Sequence, residues 1–208
     1  MRLAQALVQT VKRTSGLQAP IMCLQGHQAE ILDLQFSPDG ESLASASSDK
    51  TISFWKVYGE CKKCVPSTSL TLLWPESLST GRRTHSYGTI KLKTAPTALA
   101  WLSNEVIVAA CADHTVTAFS VATGEAERRF RGHRDIVNCL AVQRGAGGEK
   151  QLVASGSDDG TVRVWSLDRK DEVYVVSLDY AITALQWSED GTQLYLGGLD
   201  NCIHVSGD

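Results

Sequence analysis

The sequence predicts an all-β protein made of small repeated sheets. Four times an aspartate lies six residues ahead of the end of a short strand-like segment, at 49–55, 113–119, 159–165 and 200–206. Segments in which apolar and polar residues alternate precede these positions, with turn residues between them. Alternation with a period of two is typical of β-strands, and self-similarity along a chain is typical of repeat proteins. Such arrays usually act as binding platforms.

The first unit contains the pattern of a β-hairpin. Residues 31–36 alternate apolar with polar side chains, 37–40 read Ser-Pro-Asp-Gly, and 42–47 are small residues around one leucine. A strand, a tight turn and a second strand are therefore expected in this order. The pair Gly26-His27 opens the unit, 22 residues before Asp49.

The third unit repeats this arrangement with a longer loop. Gly132-His133 opens it, and Asp159 follows the histidine by 26 residues. The four additional residues fall in the Gly-rich segment 144–150, which predicts a hairpin loop. A loop of this kind lengthens at a small cost in chain entropy.

These motifs resemble the WD-repeat family, whose repeats each build one four-stranded blade of a β-propeller. The resemblance extends from about residue 17 to the end of the chain. It implies that a histidine, a serine, an aspartate and a tryptophan bond to one another and hold each blade. In this chain the implied sets are His27, Ser45, Asp49 and Trp55, and His133, Ser155, Asp159 and Trp165. Buried polar groups of this kind need hydrogen-bond partners.

The second and fourth units are incomplete. The second keeps Asp113, but Phe119 stands in the tryptophan position and no Gly-His pair precedes it. The fourth keeps Asp200, with Ser206 in the tryptophan position and Leu-Asp-Tyr-Ala at 178–181 in place of Gly-His. We expect these two units to lack the full set of bonds while strand pairing and packing preserve the blade.

The predicted architecture is about four WD-repeat blades of a seven-blade ring, open or truncated. The expected domains are a flexible leader at 1–18 and a partial propeller at 19–208, with an insertion at 62–83. The expected blades are 24–60, 88–122, 130–168 and 174–208. Two explanations fit four blades: a fragment of a seven-blade protein, or a reduced protein stabilised by dimerisation or by a host complex. An open array exposes sheet faces that neighbouring blades cover in a ring.

Composition is that of an ordinary globular protein, with a net charge of −3 and 43% hydrophobic residues. No apolar run reaches the ~20 residues that a membrane helix needs. Cys61 and Cys64 form a lone Cys-x-x-Cys, which is a weak zinc or redox signal and favours a reduced loop. We therefore predict no metal, no cofactor, no small-molecule substrate and no membrane contact.

Catalysis is not expected. The His, Ser and Asp of the repeats could suggest a hydrolase triad, but a protein seldom duplicates a catalytic centre, whereas it must duplicate a structural bond in each blade. Nucleophile-elbow, P-loop and His-Glu-x-x-His motifs are absent from the sequence.

Within the WD-repeat family, the chain is most similar to subunits of the spliceosomal U5 small nuclear ribonucleoprotein. The segments that carry this resemblance are 17–22 and 55–61. It implies a nuclear, non-catalytic scaffold for pre-mRNA splicing that contacts the large core protein of the particle. The alternative is an adaptor in another complex, for ubiquitin-ligase substrate recruitment or chromatin binding.

Two groups of arginines are candidate partner-binding residues. The first is Arg128, Arg129, Arg131 and Arg134 around the third Gly-His pair, and the second, weaker one is Arg82 and Arg83, with Lys91 and Lys93. Arginine is enriched at protein interfaces, and it also binds RNA phosphates. Glu125, Glu127 and Asp135 offset the first group, so the opposing interpretation is a solvated surface. We expect protein contact, with direct RNA contact as the lesser alternative.

Overall fold

The computed structural model describes residues 6–8, 22–56, 82–84, 86–143, 151–169 and 172–206. These residues form strands, turns and bends without a helix. Within these ranges, four antiparallel sheets follow one another along the chain, and they do not close into a ring. The predicted all-β class and the propeller blades are confirmed.

The first sheet, blade 1, contains both predicted strands. It consists of β3 (Ile31–Phe36), β4 (Ser42–Ser47), β5 (Thr51–Lys56) and β7 (Gly88–Lys91), in this spatial order. The turn between β3 and β4 is held by the Ser37 amide, which donates to the Ser42 carbonyl at 2.8 Å. Gly40 has φ +73° there, a conformation that glycine adopts without strain.

The other three sheets repeat this order. Blade 2 comprises β8 (Pro96–Trp101), β9 (Val106–Cys111), β10 (Thr115–Ser120) and β11 (Ala126–Arg131). Blade 3 comprises β12 (Val137–Val142), β13 (Leu152–Ser157), β14 (Thr161–Ser166) and β15 (Tyr174–Ser177). Blade 4 comprises β16 (Ile182–Trp187), β17 (Leu194–Gly198) and β18 (Ile203–Ser206). Within the described residues blade 4 has three strands where the others have four.

A fifth, smaller sheet joins three short segments. In it, β2 (Met22–Leu24) pairs antiparallel with β1 (Ala6–Val8) and parallel with β6 (Arg82–Thr84). Residues 6–8 of the predicted leader are thus a strand, and β6 takes up the last two residues of the predicted insertion. The rest of the leader up to residue 18, the insertion from 62 to 81 and the loop 144–150 lie outside the described residues.

The observed sheets are offset by one strand from the predicted repeats. Residues 88–91 open the second predicted unit, yet β7 pairs with β5 of blade 1. Likewise 174–177 open the fourth unit, yet β15 pairs with β14 of blade 3. The chain therefore forms the last, outer strand of one blade and then runs directly into the first strand of the next blade. Each of these short connections links two neighbouring sheets through the backbone.

The core lies between consecutive blades. The first strand of each blade is its inner strand. In blades 2 to 4, the inner strand points two large apolar side chains toward the preceding sheet, as Leu99 and Trp101 do against blade 1. Trp101 packs edge-on against Phe54, with 5.8 Å between ring centroids, and both are at most 3% exposed. Full burial of one such side chain stabilises the fold by roughly 1.5–3 kcal/mol.

Polar bonds also cross each blade interface near the inner strands. The Leu99 amide donates to Asp33 Oδ2 at 2.7 Å, between blades 1 and 2. Thr97 Oγ1 donates to the Val137 carbonyl at 2.5 Å, and Asn138 Nδ2 donates to the Ile182 carbonyl at 3.2 Å. Every interface between blades is thus held by apolar packing and by at least one hydrogen bond of fixed direction.

Candidate functional site

In blade 1 the four predicted side chains lie together. His27 Nε2 is 2.6 Å from Ser45 Oγ, and Trp55 Nε1 donates to the same oxygen at 2.8 Å. His27 Nδ1 is 3.0 Å from Asp49 Oδ2. Because a carboxylate only accepts, Nδ1 carries the proton that lies between the His27 ring and Asp49.

Thr51 completes this network, although the sequence analysis did not single it out. Its hydroxyl donates to Asp49 Oδ1 at 2.6 Å, and its backbone amide donates to the same oxygen at 2.9 Å. The Gln28 amide donates to Asp49 Oδ2 at 2.9 Å. Burial raises the pKa of Asp49, but these hydrogen bonds and the nearby His27 outweigh it, and the net result is a lowered pKa. The Asp-x-Thr spacing, present in three units, was the available signal.

Blade 3 repeats the network. His133 Nε2 lies 2.7 Å from Ser155 Oγ, which also accepts from Trp165 Nε1 at 2.8 Å. Asp159 accepts from Thr161 Oγ1 at 2.6 Å and lies 3.3 Å from His133 Nδ1. Burial alone would raise the pKa of Asp159, but bonds from Thr161 and from the backbone lower it to about 2. Burial lowers the pKa of His133, which favours the neutral imidazole.

Blade 2 has a reduced network, as its sequence predicts. Asp113 Oδ1 accepts from the hydroxyl of Thr115 at 2.6 Å and from its amide at 3.3 Å. Phe119, in the tryptophan position, is 5% exposed and packs in the core between blades 1 and 2. The aromatic ring thus keeps its packing role without the hydrogen bond that an indole makes.

Blade 4 uses a substitute partner that sequence reasoning missed. Asp200 Oδ2 lies 2.7 Å from Nε2 of His204, four residues later on β18. The ring of Tyr180, within the segment that replaces Gly-His, stacks on His204 at 5.6 Å. The hydrogen bond from His204 lowers the pKa of Asp200. Ser206 donates to the Leu194 carbonyl at 3.3 Å and so holds the strand pair.

The residue after each of these aspartates has a left-handed backbone. The φ angles are 67° at Lys50, 65° at His114, 74° at Gly160 and 62° at Asn201. Glycine adopts this conformation readily and asparagine moderately well, whereas a lysine or histidine is strained by about 1–2 kcal/mol. The shared turn is therefore set by the fold, because it recurs where the local residue does not favour it.

The structure divides the first arginine group between two faces. On β11, Arg129 and Arg131 alternate with Phe130 and are exposed on the same face of the strand. Arg128 lies on the other face with buried Phe130, and its Nη1 donates to the Arg169 carbonyl at 2.5 Å. The Arg134 amide donates to Asp159, and its side chain is exposed. Two adjacent exposed arginines on an edge strand, with Arg134 beyond them, are thus the accessible part of this group.

The second arginine group lies on a different sheet. The backbones of Arg82 and Arg83 belong to β6 and pair with Met22 and Cys23. Their side chains lie outside the described residues, as do Cys61 and Cys64. In the described part of the chain, no group of three or more His, Cys, Asp or Glu could hold a metal ion. Nor does that part contain a helix long and apolar enough to cross a membrane.

Comparison with known proteins agrees with this architecture. The family model "WD domain, G-beta repeat" matches residues 18–56 and 124–166, which contain the two complete networks. A WD40 β-propeller domain of Doa1 has a similar fold, with a TM-score of 0.67 at 20% sequence identity. The match covers 89% of this chain and 53% of that structure.

Curated relatives are similar over most of the chain. The "U5 small nuclear ribonucleoprotein 40 kDa protein" of Dictyostelium discoideum is 36% identical, over 93% of this chain and 48% of the relative. "Pre-mRNA-splicing factor cwf17" of Schizosaccharomyces pombe is 30% identical, over 94% of this chain and 50% of the relative. The chain spans about half the length of these relatives. Its repeats, its blades and these comparisons show that the chain contains WD repeats arranged as β-propeller blades, and that it is similar to U5 40-kDa proteins over most of its length.

Proposed function

We propose that this chain is a non-catalytic interaction scaffold of the spliceosomal U5 particle and acts in pre-mRNA splicing in the nucleus. The observation that carries this proposal is the similarity, over more than nine-tenths of the chain, to relatives whose names place them in that particle or in splicing. The expected main partner is the large core protein of the particle.

The geometry of the repeated networks favours a structural role for their histidines and serines. Ser45 and Ser155 are each 0% exposed, so a substrate carbonyl has no path to either hydroxyl. Each serine oxygen already accepts from a tryptophan and contacts a histidine. A nucleophile must reach its substrate within about 3 Å, and these hydroxyls are enclosed by the blade.

The exposed arginines of β11 are the proposed contact with a partner. Arg129 and Arg131 lie two residues apart on an edge strand and present planar donors that suit carboxylates. Exposed Glu127 precedes them at a β-bulge of the strand, and exposed Asp135 follows Arg134. These acids weaken the positive potential that a phosphate backbone requires, whereas a protein contact needs only individual carboxylates opposite single arginines, so a protein partner is favoured over RNA.

Affinity purification of the tagged chain from nuclear extract, followed by mass spectrometry, tests this proposal. We expect U5 proteins, led by the large core protein, to be recovered. A variant with Arg129→Glu and Arg131→Glu should lose most of this recovery while keeping its melting temperature. A matched variant with Lys91→Glu and Lys93→Glu carries the same change of charge at exposed positions of blade 1 and the loop that follows it, and should retain the partners.

The outcomes test the splicing role and the arginine contact separately. Recovery of an unrelated complex by the wild-type chain would reject the splicing role. Recovery of U5 proteins by both double variants would keep the role and reject the arginine contact. Loss of recovery after ribonuclease treatment would show that RNA, rather than protein, makes the link.

A further inference from the structure

The outer strand of blade 3 has a free edge at the rim of the array. β15 (Tyr174–Ser177) pairs antiparallel with β14, and no other strand of the described residues pairs with it. Blade 3 lies between blades 2 and 4, and this edge points away from the inner strands, so it stays open in an array of any number of blades. A free edge presents unpaired amides and carbonyls to which a further strand can bind.

The outward backbone groups of β15 belong to Val175 and Ser177. The Leu178 amide donates to the Gly160 carbonyl at 2.8 Å, so every second residue back to Tyr174 directs its amide and carbonyl toward β14. The alternation of a strand then points the amides and carbonyls of Val175 and Ser177 away from blade 3. The Val175 side chain is 42% exposed, so another backbone can approach these groups.

The outer strands of blades 1 and 2 carry features that protect a free edge, and β15 does not. β7 begins with Gly88 and ends with Lys91. β11 has charged side chains at most of its positions and a bulge at Glu127. Charges and bulges oppose pairing with a further strand, and glycine weakens a strand. Residues 174–178 read Tyr-Val-Val-Ser-Leu, without charge, glycine, proline or bulge, and aromatic and β-branched residues favour strands.

We propose that a second copy of this chain binds at this edge, with β15 of each copy antiparallel to β15 of the other about a two-fold axis at Val176. In this register Val175 lies opposite Ser177 of the second copy, and these two residues exchange both of their backbone hydrogen bonds. The axis repeats the exchange on its other side. All the outward amides and carbonyls of Val175 and Ser177 are thereby paired, and the two blades become one continuous sheet.

The occupant is a second copy because the strand is complementary to itself. In the same register Tyr174 lies opposite Leu178, and Val176 lies opposite its own symmetry mate, so apolar side chains meet across the axis. Residues 174–178 contain no charged side chain, so the pairing opposes no like charges and buries none. A two-fold contact of this kind closes at two copies. This inference does not rest on the splicing role.

Sedimentation velocity of the purified chain over a range of concentrations tests the proposal. We expect a species of twice the 22.5 kDa chain mass whose fraction falls on dilution. Val175→Pro removes an outward amide from each copy and spares the bonds to β14, so it should weaken association by roughly tenfold or more and keep the melting temperature. Thr89→Pro is the matched control and should leave the dimer unchanged. Thr89 has the same place on β7, where the Leu92 amide donates to the Lys50 carbonyl at 2.8 Å.

Disulfide cross-linking tests the register. Val176→Cys places two thiols opposite each other with their Cα atoms about 4.5 Å apart, within the reach of a disulfide, so mild oxidation should link the copies. Tyr174→Cys, on the same face of β15, leaves its two thiols roughly 13 Å apart along the strands and should link no more than the wild-type chain does through its own cysteines. A wild-type monomer, a dimer that tolerates Val175→Pro or is weakened equally by Thr89→Pro, or equal cross-linking at both cysteine positions would each overturn the proposal.

Discussion

Replacement of Asp159 by alanine should destabilise the chain by about 2–3 kcal/mol. The carboxylate accepts bonds at 2.6 and 2.8 Å from Thr161 and at 2.7 Å from the Arg134 amide, and contacts His133. Its pKa falls from 3.8 to about 2, which corresponds to about 2 kcal/mol of preference for the ionised folded form. The variant also leaves Nδ1 of His133, on a side chain that is 0% exposed, without its acceptor.

Thermal unfolding followed by circular dichroism measures this effect. For a chain of this size, 2–3 kcal/mol corresponds to a fall in the melting temperature of roughly 5–10 °C. Asp113→Ala is the matched variant, because Asp113 bonds to Thr115 and to no histidine of the described residues, and it should cost about 1 kcal/mol. Equal effects at both aspartates, or an unchanged melting temperature for Asp159→Ala, would refute the reasoning.

Three further outcomes follow from the same structure. Gly160→Ala should destabilise by at least about 2 kcal/mol, because its φ is +74° and an added Cβ would clash with the Leu178 carbonyl oxygen. Lys50→Gly, at φ 67°, should stabilise by about 0.5–1 kcal/mol, and urea titration measures the sign of both changes. His204→Ala should lower the stability of blade 4 slightly by removing the partner of Asp200, and blade 4 amides should then exchange faster than those of blade 2. Acidification should lower the melting temperature in two steps: below about pH 6.5 because unfolding lets His133 protonate, and from pH 3.8 toward about 2 as the stabilising carboxylate of blade 3 is lost. The second step should become smaller in the Asp159→Ala variant without vanishing, because Asp49 and Asp200, whose pKa values are also lowered, contribute to it.

Local patterns were sufficient to predict the strands and the histidine–aspartate pairs. Residues 31–36 and 42–47 are strands as their alternation and turn chemistry indicate. His27 and Asp49 are 22 residues apart yet meet, because the repeat places one before and one after the same hairpin. Motifs whose residues recur in register can be found without knowledge of the long-range packing.

Contacts between blades could not be predicted in this way. Thr97 bonds to the Val137 carbonyl 40 residues later, and this depends on a bulge that no local residue specifies. His204 was missed because the equivalent position, four residues after the repeat aspartate, holds a serine, a threonine and an arginine in the other three blades. The predicted repeat units differ from the observed sheets by one strand. The strand at the start of each sequence repeat pairs with the preceding blade and becomes its outer strand.

Glycerol-gradient sedimentation of nuclear extract tests the central claim most directly. If the chain is a scaffold of the U5 particle, the tagged protein should sediment with the U5 RNA and the large core protein, at the position of the intact particle. The variant with Arg129→Glu and Arg131→Glu should remain in the light fractions. A wild-type chain found only in the light fractions, or only with a complex that lacks U5 RNA, would contradict the account.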